Sequence, residues 1–296
     1  MNGIVSSINQ QIKKLWEEWH ENLEIFDRAC ANLLSQGKNK EREIKRIEEC
    51  KKIIRRWPLL YPESNAPIRR NGKKNGKEYP IGPGGIVFIG FNPSFSFKNE
   101  DKDMESIIGD FSAHKDKQQK VSEFEREAWE KYPYFSPIYE ILDRLKETVN
   151  KEKNKKGARK YEVDPFFHVD LLFMRTTSQS ILKELFKIKY GVAKCENERL
   201  KALFEAQLNI SMELVEKLNP KLIVVINALS SEIIRERYEG LKSPLSLKRR
   251  FHKINLNRKE FPILFSGMLS GQRALDTHSR ERLIWHMALV LEEGEE

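Results

Sequence analysis

Residues 85–94 read Gly-Ile-Val-Phe-Ile-Gly-Phe-Asn-Pro-Ser, an unbroken apolar run that stops at an Asn-Pro pair. Ile86 to Ile89 carry no polar residue among them, as expected of a strand buried on both faces of a parallel sheet. Three more runs of this kind follow, at 167–174, 222–226 and 263–266. Between and after them, helical patterns cover 136–148, 179–186, 203–218, 231–238 and 279–291. Strand–helix alternation predicts an α/β chain, a three-layer α/β/α domain with right-handed crossovers. No internal repeat is visible.

Upstream, apolar residues recur at helical spacing from Ile8 through Ile12, Trp16, Trp19, Phe26 and Cys30 to Leu34, predicting one amphipathic helix that Gly37 ends. Ile44, Ile47, Ile53, Ile54 and Trp57 predict a second, stopped by Pro58. The two are expected to pair as a hairpin, giving a helical extension over 1–61. Residues 62–85, rich in Pro, Gly and base, read as a linker carrying Arg69, Arg70, Lys73, Lys74 and Lys77, either a solvated face or a phosphate contact. The remainder, 86–296, reads as the domain that carries chemistry, interrupted by an insertion at 99–131 and a charged surface loop at 151–160.

The net charge of +9 and the pI of about 9.2 favour polyanionic partners, nucleic acid first and an anionic membrane second. Three cysteines, Cys30, Cys50 and Cys195, have no metal-type spacing and read as reduced thiols. No apolar stretch is long enough for a membrane span, and no signal peptide is recognisable, so a cytoplasmic location is expected. No cofactor and no metal is expected. Gly82-Pro83-Gly84-Gly85 precedes a strand where a phosphate-binding loop would follow one, and no acidic cluster suited to Mg²⁺ stands at the strand ends.

In an open parallel sheet ligands bind beyond the carboxyl ends of the strands, so the residues that follow each strand are the ones to weigh. The first strand leads into Asn92-Pro93-Ser94-Phe95. The second carries His168 and Asp170 two apart, hence on one face. The third ends at Asn227, and the fourth at Met268-Leu269-Ser270 with Gln272 and Arg273 just beyond. Asn-Pro after a strand is also an ordinary turn, and Asn227 serves equally as a loop-backbone partner. A carboxylate inside an apolar strand, Asp170, is costly to bury unless paired or functional.

Four segments resemble the uracil-DNA glycosylase superfamily in the order that family requires, most nearly its single-strand-selective monofunctional branch. They are GIVFIGFNPSFS (85–96), FFHVDLLFM (166–174), LNPKLIVVINALSSEII (218–234) and FPILFSGMLSGQRALDTHSRERLIWHM (261–287). The resemblance covers about 80–296 and implies a four-stranded parallel sheet in the order 2-1-3-4. It also implies hydrolysis of an N-glycosidic bond in DNA without metal or lysine Schiff base. On it, Asn92 positions the water, and Asp170 stabilises the sugar cation or meets the base edge. Phe95 stacks on the flipped base (chosen over Phe91 and Phe97), while Ser94, His168 and Asn227 line the base pocket. Met268 and Leu269 form the wedge that fills the emptied stack, and Ser270, Gln272 and Arg273 contact DNA.

The chain departs from the family at 266–270, where relatives carry a histidine that stabilises the departing base; His278 lies farther along and is expected to face solvent. That departure, Ser94 and the extra segments turn the expectation from plain uracil toward a modified base of phage DNA, an antiviral role. Repair of uracil or damaged bases is the alternative, and a non-catalytic nucleic-acid-binding protein on the same fold is the competing class.

Overall fold

Residues without a polar neighbour to satisfy water bury themselves on both faces, and the four apolar runs pair with one another accordingly. The computed structural model describes residues 1–32, 40–70, 77–93, 109, 111, 117–155, 161–162, 164–176, 178–241, 251–269 and 274–293. Among these, strands in chain order are β1 (Ile68–Arg69), β2 (Glu78–Tyr79), β3 (Ile81–Gly90), β4 (Phe166–Asp170), β5 (Ile188–Lys189), β6 (Val192–Ala193), β7 (Leu222–Val225), β8 (His252–Leu256) and β9 (Lys259–Phe265). Helices are α1 (Asn2–His20), α2 (Leu23–Asn32), α3 (Lys40–Ile53), α4 (Gln118–Lys131), α5 (Ser136–Lys155), α6 (Gln179–Leu185), α7 (Glu198–Leu218), α8 (Ala228–Arg237) and α9 (Thr277–Glu293).

The central sheet has five strands where the apolar runs predict four. Its order is β4-β3-β7-β9-β8, parallel except for the antiparallel β8–β9 hairpin at one edge. The fifth strand escapes a search for continuous apolar runs because only Ile254 and Leu256 of it are buried, the alternation of an edge strand. Its two-residue turn, Asn257-Arg258, holds both residues at positive φ (45° and 72°), as a type I′ hairpin turn requires, but lacks the usual glycine signal.

Strand β3 starts at Ile81, earlier than the expected 86, and absorbs the glycine-rich end of the predicted linker. Ile81 and Ile86 both register with Phe166, so the intervening residues form an irregularity in the strand. Gly85 is the position with no room: a Cβ there would lie 1.7 Å from the Pro165 carbonyl oxygen, a backbone atom. Gly85→Ala is therefore expected to lower stability by about 3 kcal/mol, because a backbone segment and not a flexible side chain has to move. Urea denaturation checks this, and a loss within experimental scatter of zero would contradict it.

The predicted single N-terminal helix is two, broken at Glu21-Asn22, where the Asn22 amide donates to the Glu18 carbonyl (2.7 Å) and competes with helix continuation. Helix α1 packs on α7, and α2 packs on α3. The N-terminal helices share one continuous core with the sheet, from Val5 to Leu291. Buried Asn9 fastens them: its Nδ2 donates to the Tyr61 carbonyl (2.9 Å) while its Oδ1 accepts from Tyr61 N (2.8 Å). Trp16 Nε1 donates to the Arg56 carbonyl (2.9 Å), and Leu59 N donates to the Phe173 carbonyl (2.9 Å). Segment 57–61 is thus held between α1 and the chain leaving β4. Among the described residues no helix is long and apolar enough to cross a membrane.

Candidate active site

Parallel pairing sets Phe88 beside His168 and Gly90 beside Asp170, so the polar pair of β4 lies over the end of β3 on one face. Gly90 makes that possible: a Cβ there would sit 2.3 Å from Asp170 Oδ1 and 3.1 Å from His168 Cε1 and Nε2. The end of β4 is pinned from behind, since Tyr61 Oη (3.2 Å) and Ser211 Oγ (2.9 Å) both donate to the Asp170 carbonyl. Burial and the nearby Asp170 carboxylate push the Tyr61 hydroxyl well above the ordinary tyrosine range, so it remains a donor.

Asn92 follows β3 and is buried. Its Nδ2 donates to the carbonyls of Pro93 (3.1 Å) and Met174 (3.2 Å) and to Thr176 Oγ1 (3.0 Å). Thr176 Oγ1 in turn donates to the Ser178 carbonyl (3.0 Å), so it can only accept from Asn92, which settles which end of the amide is nitrogen. Asn92 Oδ1 is consequently left as a buried acceptor without a partner.

Asn92, His168 and Asp170 line one cavity of about 50 Å³, walled by Trp129, Tyr134 and Phe135. The three rings stand edge-on to the His168 imidazole, with centroids at 6.4, 5.9 and 5.3 Å and interplanar angles of 80–89°. His168 Nε2 is 3.4 Å from Asp170 Oδ1, yet neither atom has a hydrogen-bond partner, and neither has His168 Nδ1. Buried polar groups are nearly always hydrogen-bonded, so four orphaned atoms on three side chains, Asn92, His168 and Asp170, mark a place built for something else.

The same wall holds an ion pair. Arg175, just past β4, contacts Glu125 of α4 through Nη2, and its Nε and Nη2 donate to the carbonyls of Trp57 (3.0 Å) and Pro58 (3.3 Å). Burial raises the Glu125 carboxyl above its ordinary range, with Arg175 opposing the shift. The pair joins α4, segment 57–61 and the end of β4 around the cavity.

Of the residues expected from sequence, Asn92, His168 and Asp170 come together. Asn227 is buried elsewhere, capping α8 by accepting from the amides of Leu229 (2.9 Å) and Ser230 (3.2 Å), and it does not line the cavity. Leu269 is buried in the core at 4% exposure, which removes it from a wedge that must reach into DNA; its apolar side chain is spent on packing. Met268 is half-buried and bridges to Ala274. Ser94, Phe95, Ser270, Gln272 and Arg273 lie outside the described residues, Phe91 is core at 1% exposure, and His278 is exposed.

Sequence reasoning missed Glu125, Trp129, Tyr134, Phe135 and Arg175. The region 99–131 read as an insertion, but 118–131 is α4, and its buried stripe of Val121, Glu125, Ala128 and Trp129 has helical spacing. A carboxylate on an apolar stripe was the available signal.

Fold and site together define an α/β protein with a polar, aromatic-walled cavity at the carboxyl edge of its sheet. Compared with known proteins, the chain matches no family model and no curated protein.

Proposed function

We propose that this cavity is the active site of a cytoplasmic monofunctional DNA glycosylase, acting on a modified pyrimidine flipped out of DNA, more readily a modified base of phage DNA than plain uracil. The observation that carries the reading is the convergence of Asn92, His168 and Asp170 in one cavity with four unpartnered polar atoms. The sheet supports it as well: its four parallel strands, numbered along the chain, lie in the order second, first, third, fourth, as the glycosylase resemblance implies. A three-layer arrangement of helices about that sheet belongs to the same proposal. The net charge of +9 suits a polyanionic partner.

In this reaction the C1′–N bond breaks and its electron pair leaves with the base, which takes up a proton from solvent. A water oxygen bonds to C1′ and gives up a proton, so the products are a free base and an abasic sugar. Positive charge grows on the sugar as the bond stretches. The Asp170 carboxylate and the faces of the surrounding aromatic rings stabilise such a cation. Asn92 Oδ1 accepts a hydrogen bond from the attacking water and orients it. An amide is too weak a base to deprotonate water in advance, which suffices when the leaving group departs early.

The test is incubation of wild type and Asn92→Ala with uracil-containing oligonucleotides and with genomic DNA from phages that carry modified cytosines or thymines. Alkali then converts abasic sites to strand breaks. Breaks made by the wild type on one substrate, reduced at least about 10²-fold in the variant, are expected. DNA binding without breaks on any substrate supports a non-catalytic binder instead.

A further inference from the structure

We propose that Tyr134 is the movable wall of this cavity: its ring closes the site in the present conformation, and its swing toward solvent sets the size of the base that enters. The identity of the entering ring rests on the glycosylase reading, whereas the need for a movement rests on volume.

The cavity measures about 50 Å³. A benzene ring takes a cavity of about 150 Å³ in a protein core, and a water takes about 30 Å³ of liquid. A pyrimidine base is a six-membered ring with further substituents, so it needs at least the room of benzene. The space beside Asn92, His168 and Asp170 therefore fits a water or two and no base. Part of the wall has to move before a base reaches these three side chains.

Much of the wall is fixed. Trp129 and Phe135 are buried, and the Trp129 ring packs on Phe135, Phe166 and Phe167 with centroids at 5.9, 6.0 and 5.2 Å. Arg175 is held by Glu125 and two carbonyls, and Asn92 by three hydrogen bonds. Tyr134 differs: at 36% it is the one exposed aromatic residue among the described lining. It stands in the middle of a three-residue turn, Pro133–Phe135, between α4 and α5, where Pro133 is exposed as well. No hydrogen bond among the described residues holds its hydroxyl, and its ring rests edge-on against Phe135 and His168 at 5.1 and 5.9 Å. Burial, with Asp170 adding to it, pushes that hydroxyl above the ordinary tyrosine range, so the ring moves without carrying a charge. Rotation about χ1 to another staggered rotamer carries it toward solvent and breaks no backbone hydrogen bond.

A site open in a fraction of the molecules binds its ligand more weakly by that fraction. A minor conformer is populated at about 10% or less. Removing the ring is therefore expected to tighten base binding by about tenfold or more, and most for a base whose extra substituent needs the wider opening.

The experiment measures binding of free cytosine and free hydroxymethylcytosine by calorimetry or saturation-transfer NMR, in the wild type and in Tyr134→Phe, Tyr134→Leu and Tyr134→Ala. Tyr134→Ala is expected to bind both bases at least about tenfold more tightly than the wild type, with the larger gain for hydroxymethylcytosine. Tyr134→Leu, which keeps apolar packing on Phe135, should shift the same way by less, and Tyr134→Phe should stay within about twofold of the wild type because the ring remains. No gain in Tyr134→Ala and Tyr134→Leu, an equal gain for the two bases, the same gain in Tyr134→Phe, or no binding by any variant overturns the inference; abasic sites made in DNA would then leave the glycosylase reading standing alone. The expected gains with no base released from any DNA support the movable wall while removing the glycosylase reading.

Discussion

Arg175→Met is expected to cost about 3–5 kcal/mol of stability above neutral pH, because it strands the Glu125 carboxylate in the cavity wall. Both side chains of the pair are under 10% exposed, so water cannot take over the role of the guanidinium. The substitution also frees the carbonyls of Trp57 and Pro58, loosening segment 57–61 from β4. The loss should depend on pH. Burial already raises the Glu125 carboxyl in the folded protein, and removing Arg175 removes the opposing influence, so the folded value rises further. Stability from the protonated carboxyl is then fully present below the ordinary value of 4.5 and is lost as pH rises through the raised folded value. Urea denaturation of the variant at about pH 5 and about pH 8 should show the larger deficit at the higher pH. Glu125→Gln in the same chain should recover most of it, since a neutral amide replaces the stranded charge. An equal deficit at both pH values would mean that the ion pair is not what the wall depends on.

The second large effect falls on the chemistry. Asp170→Asn is nearly isosteric and removes a buried negative charge, so the folded protein should survive it. On the glycosylase reading the growing sugar cation loses its closest carboxylate, and the single-turnover rate should fall by about 10²–10³-fold. Affinity for DNA, governed by phosphate contacts distributed over a basic surface, should change little. That split between rate and affinity distinguishes a charge that acts in the transition state from one that merely holds the strand end. If rate and affinity fell together, with lowered stability, the role of Asp170 would be structural.

The sequence was informative where burial on both faces leaves a continuous apolar run, as in the Ile86–Ile89 core of β3 and in β7. It was silent at β8, whose two buried residues alternate with exposed ones, and at the Asn257-Arg258 turn, where no glycine marks the positive φ values. Capping and packing claimed some expected site residues: Asn227 satisfies the first amides of α8, and Leu269 fills core volume. His168 and Asp170 could be read as a site because their spacing of two places both on one face of a strand that is otherwise apolar. Glu125 could not be read so easily in a chain with 44 acidic residues, most of which serve the solvated surface. Only its alignment with Val121, Ala128 and Trp129 tells it from them, and that alignment matters only once 118–131 is known to be helical. Tyr61 and Leu59 reach the cavity from a segment outside the glycosylase resemblance, placed there by Asn9 of α1 and by the pairing of Leu59 with Phe173.

The most direct measurement of the central claim is mass-spectrometric detection of free base released from modified phage DNA, counted against the abasic sites formed in the same tube. One free base for each abasic site is expected with the wild type, and neither above background with Asn92→Ala. DNA bound and retained with no free base released, across modified and uracil-containing substrates alike, would contradict it.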